Sequence, residues 1–150
     1  MYSVGDVNFA HRFEETIGDE VYRPFEKFRL FEGSDLTLVN LVNLENPITT
    51  RGEAREKDYV FQMKPRYIAT LEDAGITVVN IANNHMLDYG TAGSFDTIDA
   101  LDSAGMPHCG AGRTLEEART PVLRHTPRGR TATVSSHTHS GIFFSAGTRW

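Results

Sequence analysis

The chain has 150 residues, of which 39% are hydrophobic and 23% charged, enough for one domain with a real core. Its net charge of -5 argues against a general nucleic-acid binder, which needs clustered cations to neutralise phosphates, and its single cysteine, Cys109, excludes an internal disulfide. No stretch approaches the ~20 apolar residues of a membrane span, and MYSVGDVNFAHRF lacks the basic start and apolar run of a signal peptide, so the chain reads as soluble, placed in the cytoplasm or, with a leader on a longer parent, at the envelope.

Taken in chain order, the first expected element is a short strand, Tyr2 to Val4, leading into Gly5-Asp6. RPFEKFRLFEG (23–33) reads as a helix, with Pro24 in the tolerant first turn, Phe25 and Phe28 on one side and Gly33 as a stop. DLTLVNLVNLE (35–45) is nearly continuous in Leu and Val, as in a strand buried on both faces. TTRGEAREKDY (49–59) is a mixed-charge run, read as a solvated loop or a lid over substrate. KPRYIATLEDAG (64–75) is a helix with Tyr67, Ile68, Leu71 and Ala74 on one arc and Gly75 as a left-handed cap.

ITVVNIA (76–82) is the third strand, and SFDTIDALDSAG (94–105) a further helix facing the core with Phe95, Ile98, Leu101 and Ala104. LEDAGI (71–76) and LDSAGM (101–106) repeat one junction of helix end, glycine and strand start. Helices alternating with buried strands imply βαβ units and a mostly parallel sheet flanked by helices, an α/β fold. Beyond it, Thr114 and Glu117 have capping-box spacing, and TPVLRHTPRGRTATVSS reads as strand, Pro/Gly turn and strand.

In open α/β sheets, ligands sit outside the carboxyl ends of the strands. Asp6, Glu45 and Asn84-His85 all fall there on this reading. Carboxylates, an amide oxygen and an imidazole are what a metal-dependent hydrolytic site requires: the ions acidify a water and clamp the oxygens of the reacting group. Asp6 and Glu45 would supply carboxylates, Asn84 an oxygen, and His85 a ligand or a general acid. The bland readings stand beside these: Asp6 as a turn residue after Gly5, Glu45-Asn46-Pro47 as a strand exit, and Asp88 and Gly90 as builders of the turn that presents the loop. His11 lies near enough to the first strand to join the site or to be a surface residue. Arg113, Arg119, Arg124, Arg128 and Arg130 make 113–130 basic, which would attract a polyanion or decorate an ordinary surface. Cys109 reads as a small buried filler, because no adjacent base is apparent.

Four segments, GDV (5–7), NLENPIT (43–49), FQMKPRYIATLEDAGITVVNIANNHMLDYG (61–90) and LDSAGMPHCGAGRTLEEARTP (101–121), resemble the poly-γ-glutamate capsule-synthesis family (CapA-type), a branch of the calcineurin-like metallophosphoesterases. They occur in the family's order and cover most of the chain. The resemblance implies a metallophosphoesterase-like layered α/β sandwich, with Asp6, Glu45 and Asn84 as metal ligands and His85 steadying the transition state. It also implies a role with γ-linked polyglutamate or a related cell-envelope polymer. The oxygen and nitrogen donors themselves suit one or two divalent ions (manganese, iron, zinc or magnesium), and in the basic segment Arg113 and Arg124 would contact such a polyanion or a phosphorylated substrate.

Two departures qualify it. The family domain is longer and carries later histidines, including a His-x-His motif, so 1–150 reads as a single, truncated domain lacking a C-terminal half. His137 and His139 in SSHTHSG imitate that motif ahead of its place; two histidines at i and i+2 share one side of a strand and suit one metal, or sit at a solvent-facing strand end. The tripeptide Val-Asn-Leu also occurs twice, at 39–41 and 42–44, so Asn40 and Asn43 compete for one position. Three readings follow: a metal-dependent hydrolase of phosphoester or γ-glutamyl bonds, a non-catalytic polymer-binding or assembly subunit, and an incomplete chain inactive by itself.

Overall fold

The Val- and Leu-rich segments form a four-stranded parallel sheet in a computed structural model that describes residues 2–9, 13–18, 20, 25, 40–44, 47–50, 53–126 and 129–136. The strands are β1 (Tyr2–Val7), β2 (Asn40–Leu44), β3 (Val78–Asn80) and β4 (His108–Cys109), and their order across the sheet is their order in the chain. Parallel neighbours need crossover connections. These contain α1 (Phe13–Ile17) after β1, a 3-10 turn (Pro65–Tyr67) running into α2 (Ile68–Asp73) after β2, and α3 (Gly90–Ala104) after β3. The fold is mixed α/β with a short parallel sheet. The helix expected over 23–33 lies outside the described residues apart from Phe25, which packs against the core.

The short strand expected over Tyr2–Val4 continues to Val7. Between Ser3 and Asp6 its register against β2 slips by one residue, and Gly5 occupies that irregular stretch, where a strand glycine commonly marks a bulge. Asp6 is therefore paired into the ladder opposite Asn43, not placed in a turn. Asn40 pairs with Tyr2 near the strand starts, and Asn43 continues the row to Asn80 and Cys109. Register therefore separates the two copies of Val-Asn-Leu: Asn43, and not Asn40, lies at the carboxyl ends.

The repeated junction is the same motif built twice. Ile76 N–H donates to Leu71 O at 3.0 Å and Gly75 N–H to Glu72 O at 2.9 Å; Met106 N–H donates to Leu101 O at 2.9 Å and Gly105 N–H to Asp102 O at 3.0 Å. These are the 6→1 and 5→2 bonds of a Schellman cap. Gly75 and Gly105 take φ of 75° and 68°, the left-handed region that side chains with a Cβ avoid. Each junction delivers the chain to the next strand three residues after its glycine.

On α2 the expected arc is buried at Tyr67, Ile68, Leu71 and Ala74. α3 differs: Ile98 and Leu101 are buried, but Phe95 is half-buried and Ala104 exposed. At ~100° per residue, nine residues carry Ala104 to the opposite side from Phe95. The buried stripe is completed by polar side chains. Ser94 Oγ donates to Met86 O at 2.6 Å and Thr97 Oγ1 to Gly93 O at 2.8 Å, while Ile48 N–H donates to Thr97 Oγ1 at 2.8 Å. Thr49 Oγ1 adds a bond to Asp96 Oδ2 at 2.7 Å. The Pro47–Thr49 segment is thereby fixed to α3.

The capping box expected near residue 114 starts α4 (Leu115–Arg119): Glu117 N–H donates to Thr114 Oγ1 at 3.1 Å. Its return bond is displaced by one residue, with Glu117 Oε2 accepting from Arg113 N–H at 2.6 Å. The strand-turn-strand expected after it is an antiparallel hairpin, β5 (Val122–Thr126) with β6 (Gly129–Thr133), forming its own two-stranded sheet. Among the described residues, no helix is long and apolar enough to cross a membrane.

Candidate functional site

Asp6, Asn43, Asn80 and Cys109 form the last row paired across all four strands, near their carboxyl ends, with Val7 and Leu44 pairing one residue further. Just past β3, Ile81 and Ala82 are buried, and residues 83–89 then turn tightly back into α3. The asparagines divide into two roles. Asn80 Oδ1 accepts from Ala82 N–H at 2.9 Å and Asn83 Oδ1 from His85 N–H at 3.0 Å, two Asx-type bonds that shape the turn. Buried Asn83 also donates from Nδ2 to Leu44 O at 2.7 Å, tying the loop to the end of β2. Asn84 is exposed, and its carboxamide takes no part in these bonds.

Gly110 lets β4 close against this turn. Its φ is 99°, and a Cβ there would lie 2.5 Å from Ala82 Cβ and 2.9 Å from Asn80 Oδ1. Cys109 is buried beside it, and burial pushes its thiol pKa up from the ordinary value, keeping it protonated. That agrees with its reading as a filler.

His85 and Asp88 form the polar centre of the loop. His85 Nδ1 is 2.8 Å from Asp88 Oδ2; the histidine side chain is 12% exposed and Asp88 is fully buried. A carboxylate facing an ammonium accepts hydrogen bonds, so Nδ1 is the donor in this contact. The ring stacks on Phe61 with centroids 4.1 Å apart, and Phe61 N–H donates to Asp88 Oδ2 at 2.8 Å. Lys57 Nζ forms an ion pair with Asp88 Oδ1 and donates to Asn84 O at 3.4 Å, while Arg55 N–H donates to Asp88 O at 2.8 Å. Asp88 is thus a hub for two segments some thirty residues apart. Burying a carboxylate is costly unless it is matched by charge and hydrogen bonds; here a cation, an imidazole and a backbone amide supply both. Tyr89, next along, has its phenol pKa raised by burial and then by the Asp88 charge.

Sequence reasoning cast Asp88 as a turn residue and 49–59 as a solvated loop or a lid. The structure gives Asp88 the turn and a buried network together. Residues 53–59 are exposed, yet Arg55 and Lys57, with Phe61 beyond them, fasten that segment to the loop. The available signal was an Asp three residues after the His in NNHMLD, with a lysine and an aromatic upstream that no local pattern connects to it.

Of the other candidates, Asp6 is exposed at the end of β1. Arg113 has its guanidinium paired with Asp99 and over the Phe95 ring, 4.9 Å from its centroid. Arg124 lies on β5 opposite Thr131. Glu45, His11, His137 and His139 lie outside the described residues, and Asn43 is described in its backbone pairing. Among the described residues, no three His, Cys, Asp or Glu side chains are grouped as a metal-binding set.

Comparison with known proteins gives this geometry a lineage. The chain is 29% identical over 142 residues to the capsule biosynthesis protein CapA of Bacillus anthracis, covering 89% of this chain and 33% of that protein. It is 42% identical over 88 residues to a probable polyglutamine synthesis accessory protein of Mycobacterium tuberculosis strain H37Rv, covering 58% and 23% respectively. To the PGA biosynthesis protein CapA of Bacillus subtilis it is 29% identical over 150 residues, covering 95% and 38%. The chain therefore spans between about a quarter and two fifths of the length of these relatives. The profile of the bacterial capsule synthesis protein family PGA_cap matches residues 1–148, and the chain belongs to that family.

Proposed function

We propose that loop 83–89 is the reactive wall of a metal-dependent hydrolase site in a metallophosphoesterase-like layered α/β sandwich, acting on an anionic envelope polymer of the poly-γ-glutamate type or on a phosphorylated substrate of the same route. The observation that carries this reading is the 2.8 Å contact of His85 Nδ1 with the fully buried Asp88 carboxylate at the carboxyl end of a parallel strand. A pair that costs burial and holds Nδ1 leaves Nε2 as the ring's remaining nitrogen, whose lone pair suits accepting a proton at the reacting group. The printed names of the relatives, capsule or polyglutamine synthesis, support the choice of polymer.

The donor set has chemistry that fits a hard divalent ion. The Asp6 carboxylate and the Asn84 amide oxygen would hold it together with Glu45; oxygen donors suit manganese, magnesium, iron or zinc. A bound ion supplies an acidified water and charge withdrawal from the scissile group. The chain's own part is to fix the imidazole by Asp88 and the Phe61 ring, and to place Asn84 next to it by the Asn83 turn.

Elemental analysis of the purified chain beside Asn84→Ala and Glu45→Ala tests this reading. Stoichiometric metal in the parent, lost in both variants, is the expected result. No bound metal after incubation with excess manganese or zinc would sink the hydrolase reading for this chain. The second reading, a polymer-binding subunit without chemistry, draws on the hairpin, where exposed His125 and Arg130 face each other across the strands. Retention of polyglutamate by the wild type, lost on Arg130→Ser while metal and hydrolysis are absent, would favour it.

A further inference from the structure

Residues 55–61 form a strap that is pinned at both ends to one residue: Arg55 N–H donates to Asp88 O and Phe61 N–H to Asp88 Oδ2, each at 2.8 Å. Between these pins, Lys57 reaches inward, its side chain one-third exposed, and its ammonium meets Asp88 Oδ1 and the carbonyl of Asn84. The two carboxylate oxygens have separate duties. Oδ2 serves His85 Nδ1 and Phe61 N–H. Oδ1 is buried and has no aligned hydrogen bond, so among the described residues the Lys57 charge is its compensation.

We propose that Lys57 is a positioning residue for the site: by holding Asp88 Oδ1 it reserves Oδ2 for His85 Nδ1, which keeps the ring in the Nδ1–H form with the Nε2 lone pair presented to the reacting group. The proposal rests on the hydrolase reading for its consequence in catalysis, but its structural content stands apart from it. Without the cation, a buried carboxylate oxygen is left uncompensated. The carboxylate then has reason to turn toward solvent or toward another donor, and the imidazole loses the acceptor that fixes its tautomer. Lysine's compact ammonium suits this place, since it contacts a carboxylate oxygen and a carbonyl at once. Phe61 completes the arrangement by stacking on the ring whose nitrogen Lys57 controls indirectly.

The test is the long-range proton–nitrogen NMR spectrum of the imidazoles in the wild type, Lys57→Met and Lys57→Arg, with His85 assigned by the signal lost in His85→Gln. The wild type is expected to show His85 protonated at Nδ1, Lys57→Met to show it protonated at Nε2 or exchanging between the two, and Lys57→Arg to keep the wild-type pattern. A merely structural lysine would not move this signature while the circular dichroism of the three proteins stays the same. The proposal is overturned if the wild type is protonated at Nε2, if Lys57→Met leaves the tautomer unchanged, or if Lys57→Arg changes it as much as Met does. With manganese present, hydrolysis of p-nitrophenyl phosphate or γ-glutamyl-p-nitroanilide should fall in kcat by about 10- to 100-fold in Lys57→Met, with KM changed little. A wild type that shows the expected tautomer but no hydrolysis would refute the hydrolase reading and leave the role of Lys57 intact; a hydrolase whose tautomer ignores Lys57 would do the reverse.

Discussion

The carboxyl end of the parallel sheet and the β5–β6 hairpin spend polar residues in opposite ways. At the sheet end, Asn80, Asn83, His85 and Asp88 are interlocked with backbone and with each other, and the carboxylate at their centre is fully buried. On the hairpin, His125 and Arg130 lie exposed opposite one another, and Leu123 is 66% exposed beside them. A buried polar network defines a single geometry when its members are compensated, and here the one Asp88 oxygen without a hydrogen bond is matched by the Lys57 charge. The contrast teaches that the loop is built for precision and the hairpin for contact with solvent or a partner.

The contrast is broken most severely by removing its hub. Asp88→Ala strands the His85 ring nitrogen, the Phe61 amide and the Lys57 ammonium together, and should lower the unfolding free energy by about 3–5 kcal/mol in urea titration. It should also speed tryptic cleavage after Arg55. Gly110→Ala comes next. The strained φ alone costs on the order of 1–3 kcal/mol, and the new Cβ would press on Ala82 and Asn80; thermal unfolding should report both effects together. Thr114→Ala removes a helix cap away from the loop and should cost about 1 kcal/mol. Leu123→Ser on the hairpin should change stability by less than about 0.5 kcal/mol. A hairpin variant as damaging as Asp88→Ala would show that the two regions are not different in kind.

Alkaline titration sharpens the same comparison from another side. Burial raises the Cys109 pKa above its ordinary 9.0, so the folded state holds its proton where the unfolded chain releases it. That contribution is fully present below pH 9.0 and is lost as pH rises through the folded value. Cys109→Ala should flatten this part of the stability profile, read as melting temperature from pH 8 to 11, and lower the whole profile through the loss of a buried side-chain atom.

Local patterns were the legible ones. The two Schellman junctions follow from a glycine after a helical arc, and the arc of Tyr67, Ile68, Leu71 and Ala74 needs no distant information. The side of α3 was half legible, because Ser94 and Thr97 are buried through hydroxyl bonds, one of them received from Ile48, 49 residues earlier. Asp88 was read as a turn because the partners that make it a hub, Lys57 and Phe61, lie far upstream. The choice between Asn40 and Asn43 could not be made from a repeated tripeptide; it required the register against Asp6. NNH was legible as a cluster of polar side chains in need of partners, though not how they divide: Asn83 builds the turn, Asn84 is exposed, and His85 is held by Asp88.

The most direct test of the central claim is the rate of hydrolysis of a phosphoester and of a γ-glutamyl amide by the manganese-loaded chain, beside His85→Ala with the same metal content. The account predicts activity toward one of the two in the parent and a fall of about 10²- to 10⁴-fold in the variant, with metal retained. Equal rates in the two proteins, or none in a parent that holds its metal, would contradict it.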